Sequence, residues 1–422
     1  MAQRGIREYD GKRVLFQWLS KDFPQLKGRD GKLVLITPES REKDVLKQNP
    51  WLKKEKLVAK PDQLFGKRGK HGLLCINADW KKAWGWVSDR MNKSAKVGET
   101  TGELTHFLVE PFTPHAEDDE FYIAMRTFRD EDVIYFSTKG GIYVEENWDK
   151  VIEIKVPTLA AVEDVKLNLP ALGKRQEQVE KFIRSLFGFY RAAGFTYLEI
   201  NPFAFNGDDI IPLDFVARVD DTSMFETGKL WGELEFPPAF GMRKTPEEQF
   251  ISELDEKSGS SLKLTVLNSE GRIWAMVAGG GASVIYADTV GDLGFAKELA
   301  NYGEYSGAPT EEETYQYAKT VLDLMTRGKK RADGKVLLIG GGIANFTDVA
   351  KTFTGIIRAL EEFKPRLIAH KAEIYVRRGG PNYQEGLARM RKVGETLGVP
   401  IHVYGPETHM TKIVSMALKG GK

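Results

Sequence analysis

Three stretches of the 422-residue sequence carry side chains suited to polyanion chemistry. In Leu57-Val-Ala-Lys60-Pro-Asp-Gln-Leu-Phe-Gly66-Lys-Arg68-Gly69-Lys-His-Gly72 an apolar strand delivers a lysine, and a turn rich in glycine and cations follows. A phosphate needs a point charge and backbone N–H groups that approach closely, and glycine supplies the second because no Cβ intervenes. The spacing is not that of a Walker A loop, and a solvated basic hairpin turn is the alternative. The second stretch is Phe107-Leu-Val-Glu110-Pro111-Phe-Thr113, with Glu120 beyond an acidic loop. A strand running into a proline-blocked turn leaves backbone groups for an adenine edge, and the later carboxylate suits ribose hydroxyls; an edge strand and an exposed loop acid read equally well. The third is Tyr197-Leu-Glu199-Ile-Asn201-Pro202, the turn Asn206-Gly207, and Ile211-Pro-Leu-Asp214. Asn-Gly predicts a β-hairpin, Glu199 and Asn201 share a strand face, and Asp214 falls on the returning strand. Hard oxygen donors so placed suit Mg2+ held together with nucleotide phosphates. A hydrogen-bonded polar hairpin is the alternative.

A fourth group lies further along. Val336-Leu-Leu-Ile-Gly340-Gly-Gly-Ile-Ala-Asn345-Phe-Thr347 reads as a buried strand, a glycine turn and a helix start, whose free N–H groups favour an anion. The glycine spacing is not the dinucleotide fingerprint, which disfavours NAD. Arg377 and Arg378 end a strand at the edge where ligands of open α/β sheets bind, and only one of them can face the crevice. Simple N-capping is the alternative for Asn345 and Thr347. The loop Asp255-Glu-Lys-Ser258-Gly-Ser260 offers oxygen ligands but also reads as a surface turn.

Short strands alternating with amphipathic helices must position these groups, which makes the chain α/β. Hairpin-like strands and a long helix from Gln178 to Ala193 fill residues 1–241, and strand–turn–helix units of a doubly wound parallel sheet fill 242–422. The charge of +1 disfavours nucleic acid. The single Cys75, in an apolar strand, excludes an intrachain disulfide and multi-cysteine metal sites. The absence of an apolar leader or a long apolar run predicts a cytoplasmic protein that meets no membrane.

Lys60, the Gly-Lys-Arg-Gly-Lys loop, the Val-Glu-Pro hinge and the Glu-Ile-Asn-Pro hairpin, in this order, resemble the ATP-grasp fold of acyl-CoA synthetase subunits. Trp231-Gly-Glu-Leu-Glu-Phe-Pro-Pro, Gly271-Arg-Ile-Trp-Ala-Met-Val-Ala-Gly-Gly-Gly-Ala-Ser, Leu299-Ala-Asn-Tyr-Gly-Glu-Tyr-Ser-Gly-Ala-Pro and Val376-Arg-Arg-Gly-Gly-Pro-Asn-Tyr-Gln-Glu-Gly resemble the N-terminal part of the ATP-citrate lyase family. The resemblance implies an ATP-grasp domain followed by a CoA-ligase-like citrate-binding domain. It places ATP at Lys60, Arg68, Gly69, Glu110, Pro111, Thr113 and Glu120, and Mg2+ at Asn201, Asp214, Asp255, Ser258 and Ser260. Citrate would meet Gly307, Asn345, Thr347 and Arg378, with Arg377 the structural neighbour; Phe363 stands where the family can have a tyrosine, which would lose a hydroxyl contact. None of His71, His106, His115, His370, His402 and His409 stands in the Gly-His-Ala-Gly setting of the family's phosphohistidine, although His409 begins a helix. The expectation is a larger partner subunit that carries the phosphohistidine, most of the CoA site and the citryl-CoA lyase part, in a hetero-oligomer that makes acetyl-CoA and oxaloacetate. The alternatives are the nucleotide-binding subunit of succinyl-CoA synthetase or a related enzyme, and a non-catalytic citrate-sensing subunit.

Overall fold

A computed structural model describes residues 3–161, 163–242 and 244–419. The chain divides into two compact units, 1–243 and 244–422.

The first unit is built on two main sheets, beside a two-stranded hairpin of Lys93–Val97 and Thr100–Leu104. The larger runs in the order Gln3–Gly5, Val216–Asp220, Phe195–Asn206, Glu120–Thr127, Glu131–Ser137, Ile152–Pro157, and Asp209–Pro212 folds back on Phe195–Asn206 through the Asn206-Gly207 turn. Helix Gln176–Ala192 lays Val179, Phe182, Ile183, Leu186 and Tyr190 into the core against it, as the 3.6-residue period of its apolar side chains requires. Helix Glu8–Leu19 joins the same core, and Gly11 lets it approach closely, since a Cβ there would lie 2.1 Å from the ring of Phe215. The smaller sheet has the order Val34–Ile36, Phe107–Pro111, Leu57–Pro61, Cys75–Ala78. Phe107–Pro111 is therefore an interior strand, not an edge. Its last two residues nevertheless run past the Val34–Ile36 partner, which pairs only as far as Val109.

The second unit is the expected doubly wound sheet. Its order is Ser261–Val266, Asn301–Ser306, Ile273–Ala278, Lys335–Gly341, Ala372–Arg377, Ile401–Tyr404, the first strand antiparallel and the other five parallel. Successive residues of these strands feed opposite cores: Trp274, Met276, Leu337, Ile339, Ile374 and Val376 one, Ile273, Ala275, Val277, Val336, Leu338 and Tyr375 the other. Burial on both faces explains why the strands read as unbroken apolar runs. Because the five strands are parallel, the segments after Ala278, Ser306, Gly341 and Arg377 all leave at one edge of the sheet. The antiparallel strand brings the 255–260 loop to that edge too, with Ser261 opposite Ser306.

Two local expectations change. Gly340 and Gly341 belong to the strand, and the helix starts only at Val349, capped by Asp348, whose carboxylate accepts the Lys351 N–H at 2.9 Å. Asn345 and Thr347 are thus not caps but members of the 342–348 loop. Asp214 lies beyond the returning strand, which stops at Pro212, in the link to Val216–Asp220.

Among the described residues no helix is long and apolar enough to cross a membrane.

Candidate functional site

The first unit gathers a buried network of alternating charge. Strand Leu57–Pro61 carries Lys60, whose Nζ lies 2.6 Å from Glu8 and 2.8 Å from Glu110 and donates to the Leu213 carbonyl at 2.9 Å. Lys12, one helical turn after Glu8, meets the same three groups, each at 2.8 Å. Arg68, from the glycine turn, lies 2.7 Å from the Glu8 carboxylate and donates to the Pro61 carbonyl at 2.9 Å and to Asp214. Burial alone would push the Glu8 carboxyl up, but Lys12, Lys60 and Arg68 outweigh it and hold it far below the usual range. Desolvation would likewise lower Lys60, yet Glu110 and Glu8 carry it above its ordinary value. Asp62 accepts the N–H groups of Glu8 and Tyr9 at 2.8 and 3.0 Å, and burial beside Glu8 raises its carboxyl to about 6. The turn beyond Arg68 leaves Gly69 exposed.

The structure therefore brings Lys60, Arg68, Glu110 and Asp214 into one cluster, and adds Glu8, Lys12 and Asp62. Only an i, i+4 spacing on a helix marks Glu8 and Lys12 in the sequence, and that pattern ordinarily describes a solvated pair. A second knot joins Thr113, Glu120 and Asn201. His115 bridges the Thr113 carbonyl at 2.8 Å and the Glu120 carboxylate at 3.0 Å, and Glu120 raises its pKa. Asn201 Oδ1 accepts the N–H of Gly141 at 2.7 Å, and Gly141 itself lies against the Glu120 carboxylate. Glu199 is engaged by the hydroxyl of Tyr197.

At the carboxyl edge of the second sheet the two arginines diverge. Arg377 is spent on structure: it donates to the carbonyls of Gly341, Thr408 and Pro406 at 2.9, 2.8 and 3.3 Å. Arg378 is 2% exposed, donates through Nη1 to the Gly342 carbonyl at 3.2 Å, and leaves Nε without a partner. Burial pulls its pKa down, the charged or polar neighbours being Tyr305, Tyr286 and Arg377, with no carboxylate among them. An uncompensated buried guanidinium is costly. An anion is its natural counterpart. The 342–348 loop passes directly over it, tied by the Ala344 N–H to the Gly379 carbonyl at 2.9 Å, with Asn345 exposed and Thr347 buried. Gly307 follows the strand next to the 258–260 turn, where a Cβ on it would lie 3.0 Å from Ser260.

Two further expectations fare differently. Phe363 closes the far end of helix Val349–Glu362, buried in the core beneath Arg366. At about 1.5 Å per residue, the 14-residue helix separates it by roughly 20 Å from Asn345 and Thr347. The structure does not bring it into their loop. The expected 255–260 loop is in part helical: Asp255 ends helix Pro246–Lys257, accepts the Leu262 N–H at 2.7 Å and pairs with Lys263, while the Ser258 and Ser260 hydroxyls in the turn beyond bond to each other at 2.6 Å. That is a turn held by its own side chains rather than a cation cage. Among the described residues no group of three or more His, Cys, Asp or Glu is arranged to hold a metal. His409 precedes its helix, exposed, with Nδ1 3.0 Å from the Thr411 hydroxyl.

Comparison with known proteins gives concordant matches. The model of the ATP-citrate synthase ATP-grasp domain matches residues 2–231, and that of the ATP citrate lyase citrate-binding domain matches 242–420. ATP-citrate synthase alpha chain protein 2 of Arabidopsis thaliana is 49% identical, over 99% of each chain. The human ATP-citrate synthase is 48% identical over 99% of this chain, which spans only 38% of that relative's length. A solved ATP citrate lyase from Methanothrix soehngenii, in complex with citrate and coenzyme A, superposes with a TM-score of 0.90 at 53% identity, covering 99% of this chain and 100% of that one.

Proposed function

The chain belongs to the ATP-citrate synthase family and carries its ATP-grasp and citrate-binding domains, and from that premise we propose that it binds ATP and citrate as one part of an ATP-citrate lyase. ATP, citrate and CoA would become ADP, phosphate, acetyl-CoA and oxaloacetate in the whole enzyme. The observation that carries the reading is Arg378, a buried guanidinium with no carboxylate partner among the described residues, at the carboxyl edge of a parallel sheet.

Citrate carries about three negative charges at neutral pH and suits a bidentate guanidinium. In this reading Arg378 takes one carboxylate, the Asn345 and Thr347 side chains take a second, and Gly307 leaves room for the body of the acid. In the first unit, Lys60 and Arg68 face the nucleotide phosphates, Gly69 presents its backbone to them, the backbone at Glu110 and Pro111 meets the adenine, and Glu120 near Thr113 takes the ribose. The carboxylates of Glu8 and Glu110 fix the two cations in place beforehand, so little ordering remains when ATP arrives. In this reading Asn201 and Asp214 would hold Mg2+, which keeps several waters and asks for one or two protein ligands beside the phosphates, once its charge displaces the present partners Gly141 and Arg68; bound there it would neutralise phosphate charge. The phosphohistidine, most of the CoA site and the lyase part belong in this reading to a larger partner subunit in a cytoplasmic hetero-oligomer. The plant relatives that are separate alpha chains and the much longer human relative support that division.

Calorimetry of the full chain with citrate tests the reading. Citrate heat in the parent and its loss in Arg378→Ala are expected; equal binding by both sinks it.

A further inference from the structure

The edge that holds Arg378 also holds a second unsatisfied group. Tyr305, on strand Asn301–Ser306, is fully buried, and its hydroxyl has no hydrogen-bond partner among the described residues. Its neighbour Tyr317, whose ring centroid is 6.1 Å away, shows what a buried tyrosine ordinarily does: it donates to the Lys263 carbonyl at 2.9 Å. Buried tyrosine hydroxyls are normally paired in this way, because stripping one of water without replacement is unfavourable. Tyr305 is an exception, as is Nε of Arg378.

The two exceptions lie on the same face of the sheet. Two strands separate those that carry them, which sets their backbones about 14 Å apart at about 4.8 Å per strand. Arginine and tyrosine side chains are long enough to span most of that gap. The strand ends between them are small: a Cβ on Gly341 would lie 2.5 Å from Nη1 of Arg378, 3.1 Å from its Cδ and 3.0 Å from the Ala278 carbonyl. The arginine therefore lies across Gly341, on the side of the sheet core that holds Tyr305. Burial raises the Tyr305 pKa and the Arg378 charge opposes that rise.

We propose that Tyr305 is a ligand-contacting residue of the tricarboxylate site, its O–H and the Nε–H of Arg378 donating to the same carboxylate of the bound acid. This deepens the citrate reading and rests on it. A site with two buried donors around one carboxylate rejects an acid that lacks that group, because both donors are then left unpaired.

Full-chain titrations with citrate and with Mg-ATP, on the parent, Tyr305→Phe and Arg378→Ala, test the assignment together with ligand-free melting temperatures. Tyr305→Phe removes one oxygen and no protein hydrogen bond. Expected are a citrate affinity weakened about tenfold or more, in line with a lost bond to a charged group, an unchanged affinity for Mg-ATP, and a ligand-free melting temperature no lower than the parent's. Unchanged citrate affinity in Tyr305→Phe, while Arg378→Ala loses it, overturns the proposal and leaves the citrate site standing. A marked fall in the ligand-free melting temperature overturns it too, since the hydroxyl would then serve the fold. Citrate binding equal in Arg378→Ala and the parent, or absent from the parent, removes the site itself and this inference with it.

Discussion

Asp62→Asn should change the sign of its effect on stability between pH 4 and pH 7.5. Asp62 is 2% exposed, and its carboxyl is lifted from the ordinary 3.8 to about 6, by burial first and then by the Glu8 charge. A carboxyl whose pKa is higher folded than unfolded binds its proton more tightly in the folded state. Its contribution is most favourable below pH 4 and declines as the pH rises through about 6. The whole displacement is worth roughly 3 kcal/mol, at about 1.4 kcal/mol per tenfold change in proton affinity. An amide abolishes that cost but keeps one oxygen for the two N–H groups of Glu8 and Tyr9; losing the other bond costs about 1 kcal/mol. Above pH 7 Asp62→Asn should thus be more stable than the parent by about 1 to 2 kcal/mol, and at pH 4 less stable by about 1 kcal/mol. Urea unfolding followed by tryptophan fluorescence is the assay, because Trp274 is the one tryptophan of the second unit and the signal is dominated by the first. A stability difference of the same sign and size at both pH values would refute the reasoning.

Three further perturbations address the same two sites. Glu8→Gln leaves Lys12, Lys60 and Arg68 with too few acids and should cost about 3 kcal/mol; because the Glu8 carboxyl is held far below its ordinary value, its contribution is present above pH 4.5 and fades as the pH falls through its folded pKa, so parent and variant should converge in strong acid. Convergence at neutral pH instead would contradict the network. Arg378→Met replaces an unpaired buried guanidinium with an apolar side chain, so the ligand-free chain should melt higher than the parent while citrate no longer raises its melting temperature; a lower ligand-free melting point would mean that the arginine holds the fold. Phe363→Tyr should alter citrate affinity less than twofold, on the order of 0.4 kcal/mol, because the helix carries that position away from the Asn345 loop; a tenfold gain in calorimetry would show the geometric argument to be wrong.

Some of this was legible along the chain because it depends on short-range pattern. The period of Val179, Phe182, Ile183, Leu186 and Tyr190 specified a helix and its buried face, Asn206-Gly207 specified a hairpin, and the apolar runs at 336–339 and 372–376 specified strands covered on both sides. The alternation of side chains along a strand was enough to say that Arg377 and Arg378 part company. Helix onset was harder: the glycines extend the strand because Gly341 must lie flat beneath Arg378, so capping passes to Asp348.

The sequence by itself determined which residue types could meet phosphate and carboxylate groups, the α/β class with its one long helix and Asn-Gly hairpin, and the likeness to a family, since all three are written in local strings. Only the tertiary structure decided how those groups are charged and paired. Glu8 and Lys12 look like an ordinary surface pair on a helix until the fold seals them against Lys60, Arg68 and Glu110. Asp255 reads as a surface-turn acid, with a metal role implied only by resemblance, and the fold gives its oxygens to Lys263 and the Leu262 N–H. Tyr305 looks like one more core aromatic until the fold buries its hydroxyl without a partner among the described residues, on the sheet face that also carries Arg378. Burial sets the strength of a charge and the need of a polar atom for a partner, and burial belongs to the packed chain rather than to any string within it.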